Sequence, residues 1–70
     1  MEKNGFGLSI NVEGVGYIDT RHEENLHNLK SFAGRAFRLD AVKSICVYDS
    51  EGTARLYLKK TENGVVREER

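Results

Sequence analysis

Proline is missing from the seventy residues, cysteine occurs once, and Lys plus Arg equals Asp plus Glu. Each scarcity excludes something. One cysteine, Cys46, cannot close an internal disulfide, and without a second there is no zinc cluster to stabilise so small a chain. A lone thiol also fits a reducing compartment. With no charge excess, the phosphate attraction that carries most nucleic-acid affinity lacks its usual source. No apolar run is long enough to span a bilayer. The opening "MEKNGFGLSINVEG" has no basic region followed by an apolar block, so no secretory signal is readable. The expectation is a cytoplasmic protein with no membrane association.

What remains is ordinary for a globular fold. Hydrophobic residues make up 39% and charged residues 31%, too apolar a mixture for a disordered chain. A domain of this size buries only about 60% of the surface its unfolded chain exposes, so self-association gains weight as a source of stability. Charge is mildly uneven. Acids outnumber bases before Gly34, whereas eight basic residues face six acidic ones after it.

Hydrophobic period then organises the chain. Phe6, Leu8, Ile10 and Val12 alternate with Gly7, Ser9 and Asn11, the mark of a strand with one buried face. A two-residue turn at Glu13–Gly14 would return the chain through "VGYID" and set Ile10 against Tyr17. Gly5, Gly7, Gly14 and Gly16 do not make a phosphate loop, because a strand and not a helix follows them. "DTRHEENLHNLKSFAG" predicts one helix, with Thr20 and Glu23 as a capping box and Gly34 as its C-terminal stop. Leu26, Leu29 and Ala33 form its apolar stripe, flanked by Phe32 and His22. Residues 35–42, where Phe37 and Leu39 alternate with Arg38 and Asp40, read either as a short strand or extended connection or as a further helical turn. Strands follow at Val42–Tyr48 and Ala54–Lys59, with a last one at Val65–Glu68. The whole is a single α+β domain over 1–70, in ββαβββ order. An N-terminal hairpin and a C-terminal meander form an antiparallel sheet, with one helix packed on one face.

The stretch "ICVYDSEGTARLYL", residues 45–58, decides what the sheet presents outward. A three-residue loop, Ser50–Gly52, would oppose Cys46 to Leu56 and scatter apolar groups over both faces. A register shifted by one pairs Val47 with Leu56 and Ile45 with Leu58. It gathers those four and Ala54 on one side. A one-residue slip turns every side chain over, and burying one Val or Leu is worth roughly 1.5–3 kcal/mol, so burial selects the second register. Ser44, Cys46, Tyr48, Arg55, Tyr57 and Lys59 then share the outer face. Applied to "TENG", the same logic predicts a three-residue loop with Val66 beside Leu58 and Val65 outside.

Chemistry-bearing constellations are few. Cys46 in mid-strand reads as a small hydrophobe and not as an activated thiol. His22 and His27, placed on one helix, would stand roughly 140° apart and share no face. Glu23 and His27 would lie one turn apart without a third metal ligand. No catalytic triad or metal-spaced cluster is present, so neither an enzyme nor a cofactor is expected. Tyrosine and arginine are favoured in interface cores. Tyr48, Arg55, Tyr57 and Lys59 are therefore the expected partner-binding residues of a small accessory or regulatory protein that binds another protein and forms a homodimer. The alternative is a sheet that stacks single-stranded nucleic acid on the same aromatics, with Arg55 and Lys59 at the phosphates.

Overall fold

A computed structural model describes residues 5–69. Strands β1 (Phe6–Val12) and β2 (Gly16–Glu23) precede helix α1 (Leu26–Ala36). Strands β3 (Val42–Asp49), β4 (Ala54–Thr61) and β5 (Gly64–Glu69) complete one antiparallel sheet, in the order β2-β1-β3-β4-β5. The expected ββαβββ architecture is present, and α1 packs across β1, β2 and β3 on one face only.

Alternation does what the sequence pattern asks of it. Leu8 and Ile10 of β1, Ile45 and Val47 of β3, and Leu56 and Leu58 of β4 turn toward the helix and are buried. They meet Leu29, Ala33 and Ala36 from α1, with Phe6, Leu26, Phe32 and Phe37 closing the margins. Lys30 of α1 forms an ion pair with Glu69 of β5, the residue that stands opposite Leu56 in the ladder.

The β3–β4 hairpin reconciles the two competing registers. Val47 pairs with Leu56 and Ile45 with Leu58, as burial requires. At the tip, however, Tyr48 pairs with Ala54, and the three-residue loop 50–52 is retained. Asp49 shapes that loop: its Oδ1 accepts the Glu51 and Thr53 amides, both at 2.9 Å, and its carbonyl accepts from Gly52. Gly52 supplies the positive φ of 85°. A bulge at Arg55 absorbs the odd residue, so turn chemistry decides the tip and burial decides the core. Ala54, expected on the core face, therefore shares the side of Tyr48.

Other expectations are corrected. The first turn has three residues, 13–15, not two, so Ile10 pairs with Ile18 and Tyr17 with Asn11. Gly14 and Gly16, at φ 82° and 100°, provide the left-handed backbone this loop needs. The helix begins later than predicted: Asn25 is the N-cap, its side chain accepting from the Asn28 amide at 3.2 Å. Thr20, His22 and Glu23 belong to β2, because β1 offers a ladder from Gly16 to Glu23, broken only by a bulge at Thr20, whose pairing outweighs a local capping box. His22 thus does not flank the helix stripe, and Glu23 and His27 do not share a helix. Gly34 lies inside α1, which ends at Ala36 with Phe37 as its C-cap; residues 37–41 are turns. The last hairpin is also tighter than expected. Thr61 pairs with Gly64, so Val66 sits opposite Lys59 and Val65 opposite Lys60, the reverse of the predicted sides. No helix among the described residues is long and apolar enough to cross a membrane.

Candidate functional site

Directly paired residues share a face, so the ladder alone assembles the side of the sheet opposite α1. One row across it reads Tyr17, Asn11, Ser44, Lys59, Val66. The next reads Asp19, Ser9, Cys46, Tyr57, Glu68. The third reads His22, Gly7, Tyr48, Ala54. Among the described residues, no element covers these rows.

The central strand β1 presents only small or short polar groups here, Gly7, Ser9 and Asn11, and two tyrosines lie across it from opposite sides. Tyr17 reaches from β2 over Asn11 to β3, where its hydroxyl shares a 3.0 Å hydrogen bond with Ser44 Oγ. Ser44 is only 3% exposed, although it belongs to the uncovered face. Tyr48 reaches the other way, from β3 over Gly7 to β2, and its hydroxyl donates to Asp19 Oδ1 at 2.5 Å. A Cβ on Gly7 would lie 2.6 Å from Cε1 and Cζ of that ring, so the ring rests on the bare backbone. Both tyrosine side chains therefore extend across β1, each tied at its hydroxyl to a group on the strand beyond.

Asp19 is the polar hub. Besides Tyr48 it receives Ser9 Oγ at 3.4 Å, and its Oδ2 stands 3.1 Å from His22 Nε2. His22 in turn meets the Tyr48 ring edge-on, with centroids 6.3 Å apart. The Tyr48 hydrogen bond, and after it His22, hold the Asp19 carboxyl below its usual value, and Asp19 reciprocally pushes the Tyr48 phenol up. Tyr57 is pushed up mainly by burial, with Tyr17 beside it adding to the effect. Burial raises the Cys46 thiol as well, the direction opposite to that of an activated nucleophile. No group of three or more potential metal ligands occurs among the described residues.

Of the four predicted binding residues, Tyr48, Tyr57 and Lys59 come together on this face. Arg55 does not join them. The bulge swings its guanidinium to the other side, 5.8 Å from the centre of the Phe6 ring and 4.0 Å from Asp49. Sequence reasoning missed Tyr17, Asp19 and His22. Tyr17 follows from one more residue in the first turn, whereas Asp19 and His22 were hidden inside an apparent helix start.

The sequence matches no protein-family model, and neither the curated proteins nor the solved structures contain a significant match. What can be said of function therefore rests on the molecule itself.

Proposed function

We propose that this chain is a non-enzymatic accessory or regulatory protein that binds another protein through the outer face of its sheet. The observation that carries the reading is the laying of Tyr17 and Tyr48 across β1, with Tyr57 beside them, on a five-stranded face that α1 leaves bare. Amphipathic aromatic rings already fixed by hydrogen bonds lose little entropy on binding, and tyrosine is enriched in interface cores. Mixed hydroxyl, amide and charged groups between the rings suit a surface that is solvated when free.

Self-association belongs to the same reading, through the edge of β5. Val65 and Val66 are 60% and 41% exposed there, and among the described residues β5 pairs with β4 alone. The opposite edge, β2, is bent by a bulge that leaves Thr20 unpaired, which discourages strand addition. Nucleic-acid binding draws less support, because Lys59 stands between the carboxylates of Asp19 and Glu68 and Arg55 has turned away.

The test is Tyr57→Glu, which places a charge at the middle of the face without touching the helix-side core. The variant should keep the wild-type thermal midpoint while losing the partner that wild-type protein captures from its source cells. Equal capture by both proteins would remove the outer face from the account. Sedimentation of wild type at increasing concentration reads self-association, and a constant monomer mass would remove that part.

A further inference from the structure

Resting on that reading, we infer that the partner presents basic side chains, guanidinium or ammonium groups seated on the tyrosine rings between Asp19 and Glu68. Charge and ring geometry together carry this choice. Among the described residues, the paired rows of the face hold two carboxylates, Asp19 on β2 and Glu68 on β5, in one row and four strand intervals apart, about 19 Å. Lys59 is its only Lys or Arg in the paired rows. Asp19 keeps its charge, since Tyr48 and His22 both favour the ionised form. Tyr17 and Tyr48, extended across β1 with their hydroxyls tied down, place aromatic rings of the kind that attract cations on this face.

The other side of the molecule shows the same chemistry already satisfied internally. Arg21 lies 4.8 Å from the centre of the Phe32 ring, Lys60 5.0 Å from Phe37 and Arg55 5.8 Å from Phe6. All three phenylalanines thus carry a cation from this chain. Among the described residues no such pair is made to a tyrosine, and the tyrosines face outward.

Two other occupants fit worse. A second copy stacked face to face about a two-fold axis along the strands sets Asp19 against Glu68. An axis across the strands sets each carboxylate against its own copy. Either arrangement opposes like charges, which is unfavourable at an interface. A phosphate backbone would meet the same two carboxylates.

The experiment titrates isotope-labelled protein with a twelve-residue peptide of alternating Arg and Ser, following amide shifts. A Glu–Ser peptide and a twelve-nucleotide oligothymidine serve as controls. The Arg peptide should move the Tyr17, Tyr48, Tyr57 and Glu68 signals. Replacing one ring, as in Tyr57→Leu, should weaken it by about two- to fivefold. Added salt should weaken it further. Equal response to the Glu peptide, tighter binding of the oligonucleotide, shifts confined to the helix side, or no shift at millimolar peptide would each overturn the inference. If the peptide fails while Tyr57→Glu still abolishes partner capture, only the cationic partner falls and the docking face stands.

Discussion

Gly7 is small because Tyr48 occupies the space a side chain would need. A methyl group there meets Cε1 and Cζ at 2.6 Å, far inside contact distance, so Tyr48 must lift and surrender its bond to Asp19. Gly7→Ala should therefore cost about 1–3 kcal/mol, the usual range for overpacking, read as a lower urea midpoint with an unchanged m value. The aromatic signals of Tyr48 should shift with it. An unaltered midpoint would show that the ring does not rest where the structure places it. At this scale, legibility depended on which strand a residue sits in. Tyr48 and Tyr57 were readable because residues 44–48 and 56–58 alternate around a buried core. Asp19 and His22 were not, because "DTRHEE" satisfies the local rules for a helix start as well as those for a strand end. Only the ladder to β1 decides between them, and that is a tertiary fact.

Elements show where local chemistry yields and where it holds. Thr20 yields as a cap to Asn25 five residues on, whereas the Asp49 loop holds against the pull of the core and the strand bulges at Arg55 instead. The fold class, element order and core pairing were legible, since each rests on long alternating runs. Loop lengths were not. Each of the three hairpins differs from expectation by one residue at its turn or by a bulge beside it, and a glycine of positive φ marks every tip. In α1 the difference from expectation has a measurable consequence. Gly34 sits in the helix interior, exposed, with no atom within 4 Å of a Cβ at that position and without a positive φ. Gly34→Ala should stabilise the protein by about 0.5–1 kcal/mol through lower backbone entropy in the unfolded chain. Thermal unfolding checks it, and a lower midpoint would return Gly34 to the C-terminal stop that its sequence context suggested.

The whole molecule is asymmetric. One face of a five-stranded sheet is buried under a helix, and the other holds three tyrosines, a hydrogen-bonded carboxylate and the single thiol. The largest fully buried side chains, Leu8, Leu29, Ile45, Val47 and Leu56, all belong to the helix-side core and none to the outer face. Cys46 stands in the middle row between Ser9 and Tyr57, half-buried, and provides a native reporter on the proposed interface. The most direct measurement is the rate at which a maleimide modifies Cys46 in the purified protein and in the complex isolated from source cells. Because interface cores pack as densely as protein interiors, the docking account predicts a rate at least about tenfold slower in the complex. An equal rate in the two would contradict it.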